Sequence, residues 1–289
     1  MFDVILAALA AGQVPACAPL PGWEEVAERA AGKYLVLGES HGTAESPMAT
    51  VEYVCAVARD GPVLLAIEFS STSNEAFQRA WRLPHAGFRE ALIAEVPEWG
   101  ERQDGVSSVA MLEMLVRLHA LKEAGHVIDI VAFNGASGDA QRAAFAGLPG
   151  QEPHEAAQAA NIRAAAQQRD YSHVVVLVGR FHSRKVAGQA GAEQVRPMAM
   201  LLAEPDRVIS LGIHTSGGES WGCELRTDIE IDFTRPITDD MVRCGASRYG
   251  ASQPPREAGF HFDETLASVG LDGEFALGAV TASPPAVID

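Results

Sequence analysis

The chain has 289 residues, of which 47% are hydrophobic, so it is long enough and apolar enough to bury a sizeable core. Its 22 Lys and Arg residues against 38 Asp and Glu residues give a formal net charge of -16. Because such an acidic chain repels phosphate groups, we expect neither nucleic acid nor an anionic membrane surface among its partners. Beyond the N-terminus, no stretch approaches the ~18 apolar residues of a membrane span.

The N-terminal segment allows two interpretations. Residues 1–18 are apolar and end in the sequence VPACA, which resembles the end of a signal peptide. However, Asp3 is present and no Lys or Arg precedes the apolar run, which is untypical of such a signal. We therefore expect a helical segment within residues 1–32 and a cytoplasmic protein, with export as the alternative if the apolar start acts as a signal.

The four cysteines are scattered and include no C-x-x-C pair. This spacing fits neither a zinc knuckle nor a disulfide framework. Cys55 lies on the apolar stripe of a predicted helix and is expected to be a small core residue. The sequence leaves open whether Cys223 and Cys244 form a disulfide.

Helical and strand patterns alternate along most of the chain. They predict helices over residues 23–31, 46–61, 74–81, 109–123, 154–169 and 198–203. They predict strands over residues 33–37, 62–67, 127–133, 173–178 and 207–211, with edge strands over 221–225 and 275–280. The region from Pro84 to Pro97 is predicted to be irregular, and residues 138–151 to be a loop.

This alternation predicts an α/β fold with a mostly parallel central sheet flanked by helices, and antiparallel edge strands near the C-terminus. The sequence shows no internal repeat and no low-complexity linker. We therefore expect one domain over residues 1–289, with a less regular part over residues 212–289.

Polar side chains follow the predicted strands at the points where the strands end. They are Glu39 and His41 after the first strand, Glu68 at the end of the second, Asn134 after the third, and Arg180 and His182 after the fourth. In open α/β sheets, ligands bind outside the carboxyl ends of the strands. Residues i and i+2 of an extended chain point the same way, so we expect Glu39 and His41 to face one pocket.

Two chemistries suit such a group. His41, Glu68 and His182 could together bind a divalent metal, because imidazole and carboxylate are common metal ligands. The same residues could equally act without a metal, with one histidine as general base and a carboxylate orienting it. The sequence leaves this choice open.

A rival motif overlaps the first strand end. Residues 38–42, with the sequence GESHG, match the G-x-S-x-G pattern of a nucleophile elbow, with Ser40 as nucleophile and His214 or His261 as its partner. The elbow of an α/β hydrolase follows several earlier strands, whereas only helical segments precede this strand. The oxyanion loop of that fold is also missing, so we do not favour Ser40.

The polar strand ends resemble a known superfamily. Residues 38–43 (GESHGT), residues 67–68 (IE) and residues 179–182 (GRFH) together look like the group that contains erythromycin esterase, the ChaN haem-uptake proteins and the Tiki/TraB proteins. Residues 161–163 (NIR) are similar to the arginine-bearing helix of that group. The resemblance covers roughly residues 34–211.

The resemblance implies a hydrolase-like pocket in an α/β fold, with activities that differ among members. Erythromycin esterases open a lactone with a water activated by histidine, Tiki-like members are metal-dependent peptidases, and ChaN-like members bind haem. The first motif here has one residue between Glu39 and His41, as in ChaN-like members. Arg180 stands where Asn is common, and its positive charge disfavours a nearby cation and favours an oxyanion.

The sequence thus predicts a hydrolase of an ester, lactone or amide bond in a small organic molecule. We expect His41 to be the general base, Glu39 or Glu68 to orient it, and His182 to assist as acid or second base. The substrate-binding residues predicted around this group are Arg163, Arg180, Asn134 and Trp99. The alternatives are a haem- or metal-binding protein without catalysis and a metal-dependent peptidase. The sequence fixes neither the cofactor, which could be a divalent metal, haem or none, nor the oligomeric state.

Overall fold

The structure is a computed structural model, which describes residues 16–190, 193–229 and 238–287. Most of the predicted N-terminal helical segment falls on residues 1–15, outside the described residues. The helices are Trp23–Ala30 (α1), Glu45–Val57 (α2), Asn74–Trp81 (α3), His85–Glu95 (α4), Glu98–Glu101 (α5), Val109–Glu123 (α6), Asp139–Phe145 (α7), Glu152–Ala166 (α8) and Met198–Leu202 (α9).

The strands alternate with these helices. They are Tyr34–Glu39 (β1), Val63–Ser70 (β2), Ile128–Asn134 (β3), His173–Gly179 (β4), Gly188–Ala190 (β5), Glu193–Val195 (β6), Val208–His214 (β7), Ser216–Leu225 (β8), Val242–Ala251 (β9), Gly259–Phe262 (β10) and Gly273–Ala276 (β11). The α/β fold predicted from the sequence is confirmed.

The central sheet has seven strands in the order β10-β11-β7-β1-β4-β2-β3. Its strands pair in parallel, except β10, which runs antiparallel to β11 near the C-terminus. β5 pairs with β6, and β8 with β9, in separate two-stranded antiparallel sheets. The carboxyl ends of the parallel strands meet at one edge of the sheet, where the polar motifs lie.

Apolar side chains cover both faces of the central sheet. β4 is a nearly unbroken run of β-branched residues, and its residues 173–178 are all buried, as expected of a strand covered on two sides. One face packs against α2, α3, α4 and α6 through residues such as Leu65 and Leu115, and the other packs against α8 and α9 through residues such as Val176 and Ile162. These two layers hold the strand ends in fixed positions.

β3 is the outer strand of the sheet, and side chains of α3 bond to its free side. Gln78 donates to the carbonyl of Ile130, and the indole N–H of Trp81 donates to the carbonyl of Ile128. Asn74 accepts a hydrogen bond from the backbone N–H of Ala132. Three backbone groups on this edge are therefore satisfied by side chains from α3.

Two stretches predicted without regular structure are helical. α4 occupies the region between Pro84 and Pro97, because Pro84 caps its N-terminus and Pro97 follows its end, so that neither proline interrupts it. α7 occupies part of the predicted loop over residues 138–151, and none of its residues is buried. Because α7 buries no face, its sequence has no stripe of large apolar residues at helical spacing by which it could be predicted.

The cysteines correct the prediction that they form no disulfide framework. Cys17 is bonded to Cys55, and Cys223 is bonded to Cys244. Cys55 is buried as predicted, but it is not a free core residue. Cys223 and Cys244 lie directly opposite each other on β8 and β9. The sequence pattern did not predict β9, so this pairing could not be established from it.

In the described ranges, no helix is both long enough and apolar enough to cross a membrane.

Candidate active site

The first part of the site lies at the end of β1. Glu39 is the last residue of the strand and is 3% exposed, and His41 follows two positions later. His41 Nδ1–H donates to Glu39 Oε1 over 2.6 Å. This hydrogen bond fixes the tautomer and orientation of the ring, and it leaves His41 Nε2 free to face the interior of the site.

The second part has the same construction from different elements. His182 lies in the turn after β4, and its Nδ1–H donates to Glu155 Oε2 over 2.8 Å. Glu155 projects from the first turns of α8, is fully buried, and also accepts the backbone N–H of Met198 at the start of α9. A buried carboxylate on α8 thus orients the second imidazole as Glu39 orients the first.

Glu68, near the end of β2, lies between the two histidines. His41 Nε2 is 3.5 Å from Glu68 Oε2, and His182 Nε2 is 3.6 Å from Glu68 Oε1. The backbone N–H of Gly179 donates to Glu68 Oε2 over 2.6 Å and holds the carboxylate in place. The result is one buried carboxylate facing two imidazoles, each fixed by a carboxylate of its own.

Gly179 keeps the space beside this group open. A Cβ atom at this position would lie 3.1 Å from His41 Nε2 and 3.5 Å from Glu68 Oε2. The side chains of His41 and His182 are 26% and 20% exposed, so a small molecule or water can reach both. A side chain in place of the glycine of the second GxxH motif would therefore crowd His41 and Glu68.

The carboxylates control the charge of both histidines. Burial by itself lowers the pKa of His41, but the charges of Glu68 and Glu39 and the hydrogen bond to Glu39 outweigh it and raise the pKa to about 9. Burial likewise lowers the pKa of His182, and the hydrogen bond to Glu155 with the charges of Glu68 and Glu155 raises it above its ordinary value. Both rings are therefore strong proton acceptors, and His41 is mostly protonated near neutral pH.

A loop and a hairpin surround the β1 motif. Asp104 lies on the loop after α5, where its charge contributes to raising the pKa of His41 and its carboxylate binds Arg102. Trp221 of β8 bonds to both sides of this region: its backbone N–H donates to the carbonyl of Gly42, and its indole N–H donates to the carbonyl of Gln103. The C-terminal hairpin, formed by β8 and β9, therefore packs directly on the loop after β1.

Two of the predicted substrate-binding residues lie near the site. Asn134 ends β3 and accepts a hydrogen bond from Gln158 of α8. Arg180 follows Gly179 directly, is exposed, and donates to the hydroxyl of Tyr249 at 3.4 Å. Both remain candidates for contact with a substrate.

The other two predicted substrate-binding residues lie away from the site. Arg163 is two helical turns beyond Glu155 on α8, where it donates to the carbonyls of Leu201 and Leu202. Trp99 is fully buried and packs against Phe69 in the core, with ring centroids 4.9 Å apart. Arg163 joins two helices and Trp99 fills the core, so we do not include either in the site.

The serine-nucleophile alternative is not supported by the hydrogen bonds. His214 Nε2 bonds to the carbonyl of Pro254, and His261 Nε2 bonds to the carbonyl of Glu257. Both histidines thus have partners other than Ser40, whose own carbonyl accepts the hydroxyl of Thr43 in a local turn.

Sequence reasoning missed Glu155 and its neighbour His154. Pro153 precedes them, a residue typical of the first turn of a helix. The helix that follows β3 must begin at the carboxyl edge of the sheet, so its first turn faces the site. A His-Glu pair at that position was the signal that could have identified them.

The residues named for a metal do not form a ligand set. The donor types of His41, Glu68 and His182 suit a divalent cation, but the two Nε2 atoms face different oxygens of Glu68, at 3.5 Å and 3.6 Å. Across the described ranges, no group of three or more His, Cys, Asp or Glu side chains is arranged to hold a metal ion. The metal and haem alternatives thus gain no support from the geometry.

Comparison with known proteins identifies the fold. No family model and no curated protein matches the chain. A solved structure of a Bacillus cereus protein is similar at a TM-score of 0.59, with 10% identity over 91% of this chain and 93% of that one. A succinoglycan biosynthesis protein gives 0.56, with 11% identity over 94% of each chain. A His-to-Asn mutant of the erythromycin esterase EreC, in its open conformation, gives 0.52, with 10% identity over 81% of this chain and 79% of that one.

These likenesses establish a shared fold. The resemblance to the erythromycin esterase group, drawn from motifs at three strand ends, is confirmed at that level.

Proposed function

We propose that this chain, which has the fold of an erythromycin esterase structure, hydrolyses an ester, lactone or amide bond in a small organic molecule. One observation carries the proposal: two imidazoles, each oriented by its own buried carboxylate, direct their Nε2 atoms at the two oxygens of Glu68. Such an arrangement can bind one water molecule and move protons on either side of it.

His41 is the general base in this proposal. Glu39 holds its Nδ1–H, so the proton of the attacking water passes to His41 Nε2. Glu68, anchored by the backbone N–H of Gly179, accepts the second hydrogen of that water and stabilises the imidazolium that forms. The raised pKa of His41 makes its neutral form a strong base but a minor species at neutral pH.

His182 is the general acid. Its raised pKa keeps the ring protonated in a higher fraction of molecules at neutral pH than an ordinary histidine. It can therefore give the Nε2 proton to the leaving oxygen or nitrogen, while Glu155 retains the Nδ1–H. Arg180 follows Gly179 directly, and Asn134 is bonded to Gln158 of α8. These two residues are the candidates for contact with the rest of the substrate.

Single substitutions test this assignment. We expect His41→Ala and His182→Ala each to lower kcat/KM on a panel of esters, lactones and anilides by about 10²–10⁴-fold, because each removes one proton-transfer step. His126→Ala is the matched control, since His126 bonds to the carbonyl of Ala58 at the end of α2, away from the strand ends. If both variants fold as the parent protein does and keep full turnover, the assignment is wrong.

The location of the protein is a separate proposal. The two disulfides favour the exported alternative over the cytoplasm, because disulfides persist in oxidising compartments.

A further inference from the structure

A third imidazole borders the site and has no role in the reaction above. His154 lies beside Glu155 in the first turns of α8 and is exposed. Its ring centroid is 6.1 Å from that of His182, with the two planes at 49°. This separation is within the range of packed ring pairs, so the two imidazoles lie side by side at the border of the site. A Cβ atom on Gly135, which follows β3, would lie 3.6 Å from His154 Nδ1, so the absence of a side chain there leaves this edge of the ring uncovered by Gly135.

A buried amide fixes the protonation state of His154. Gln158 is fully buried, and its amide nitrogen lies 2.8 Å from Asn134 Oδ1 and 2.9 Å from His154 Nε2. An amide nitrogen has two hydrogens and only donates. One hydrogen therefore goes to Asn134 and the other to His154 Nε2, which must accept. With the Gln158 amide in this orientation, His154 is a neutral ring with its proton on Nδ1.

The surrounding charges agree with this state. Although the side chain is exposed at the surface, the protein around the ring removes part of its hydration and lowers the pKa of His154, and the neighbouring imidazole of His182 lowers it further, against the opposing charges of Glu155 and Glu68. His154 thus differs from His41 and His182, whose pKa values are raised. Among the described residues, no carboxylate accepts a hydrogen bond from His154 Nδ1.

We propose that His154 contacts the substrate and donates its Nδ1–H to the carbonyl oxygen of the bond being cleaved. This inference rests on the proposed hydrolase function. The hydrogen bond strengthens as negative charge develops on that oxygen, and the proton stays on His154 Nδ1 throughout. A neutral imidazole can serve as such an electrophile. The carboxylates of the site attract it less strongly than they would attract an imidazolium cation.

His154→Phe tests the role, because it keeps a ring of similar shape and removes the donor. On a substrate that the parent protein cleaves, we expect kcat to fall by about 10²–10³-fold with little change in KM. Gln158→Glu is the second variant: a carboxylate at this position accepts from His154 Nε2 and forces the proton onto it. Because His154 becomes titratable in this variant, we expect the ratio of its kcat/KM to that of the parent to change with pH between about 6 and 8. His126→Phe is the control.

Nitrogen NMR of the His154 ring provides a readout that does not depend on activity. We expect an unprotonated Nε2 and a protonated Nδ1 at pH 7 in the parent protein, and a protonated Nε2 in Gln158→Glu. A charged ring or a proton on Nε2 in the parent overturns the inference, as does full kcat in His154→Phe. If the parent protein cleaves nothing in the panel, both the proposed function and the role of His154 are wrong. If the parent is active and His154→Phe is equally active, only the role of His154 is wrong.

Discussion

At the residue scale, Glu39 sets the proton affinity of His41. Its Oε1 accepts the Nδ1–H of the ring, and its Oε2 is buried without another hydrogen-bond partner among the described residues. A buried carboxylate with one unpaired oxygen is stabilised mainly by a neighbouring positive charge. Glu39 therefore favours the charged form of His41.

This coupling predicts how the reaction responds to pH. Because His41 must be neutral to accept a proton and its pKa is about 9, we expect kcat/KM to rise with pH over the neutral range, and the rise to end where His182 loses the proton that it donates. Glu39→Gln removes the negative charge and weakens the hydrogen bond, so the rising limb should move to lower pH while the maximum falls. The pH dependence of kcat/KM for both proteins checks this. A limb that stays in place would show that Glu39 does not control His41.

The same pKa shift affects stability with a defined sign. The pKa of His41 is higher in the folded protein than the ordinary value of about 6.5. The stabilisation from its charged form is therefore fully present below pH 6.5 and is lost as the pH rises through about 9. The Glu39→Gln variant should lose less stability over this range, which urea unfolding at pH 6 and pH 9 would measure.

At the element scale, the C-terminal hairpin and the β1 loop are fitted closely together. Gly42 adopts a φ of 74°, and a Cβ atom there would lie 2.0 Å from the carbonyl oxygen of Trp221. A Cβ atom at Gly105 would likewise meet Gly42 at 2.7 Å. The glycine that follows His41 in the first motif is therefore needed for the hairpin to pack.

This packing gives a prediction with a control in the same hairpin. Gly42→Ala introduces both an unfavourable φ and a backbone clash, so we expect it to lower the free energy of unfolding by at least about 1 kcal/mol and to reduce activity by displacing His41. Gly222→Ala, next to Trp221, adds a Cβ that meets nothing within 4 Å and should change stability by less than about 0.5 kcal/mol. Urea unfolding of both variants measures the difference, and equal stabilities would contradict the packing argument.

The elements that sequence could predict are those whose signal is local. β1, β2 and β4 are continuous apolar runs, and Glu39 and His41 follow from the geometry of an extended chain. Glu155 was not predicted, because its role depends on how α8 packs against the sheet and the turn after β4. Arg163 was placed in the site through a resemblance, whereas packing turns it toward α9.

The same limit applies to β8 and β9. Their residues alternate between glycine, small and polar types, without the apolar period that marks a strand. The two strands pair with Cys223 opposite Cys244, a contact that the sequence of either segment alone does not predict. Only the three-dimensional structure shows that Trp221 contacts the loop after β1.

At the scale of the whole molecule, the two disulfides tie separate parts of the chain together. Cys17–Cys55 joins the start of the described chain to α2, across 38 residues, and Cys223–Cys244 closes 21 residues of the hairpin. Because cross-links of this kind restrict the unfolded chain, we expect reduction to lower the free energy of unfolding by about 2–4 kcal/mol for each bond.

Paired variants separate the two contributions. Cys17→Ser with Cys55→Ser, and Cys223→Ser with Cys244→Ser, can be compared by urea unfolding with and without reductant. Thiol titration of the oxidised, denatured parent protein should find no free thiol. Four reactive thiols in that sample would show that the bonds do not form.

The side chains of α3 that bond to β3 also bear on how copies of this protein meet. Asn74, Gln78 and Trp81 occupy backbone groups that would otherwise be open to a strand from another molecule. Edge-to-edge polymerisation through this strand would first have to break those three hydrogen bonds. The side chains of α3 thus protect this part of the sheet edge against pairing with a strand of another molecule.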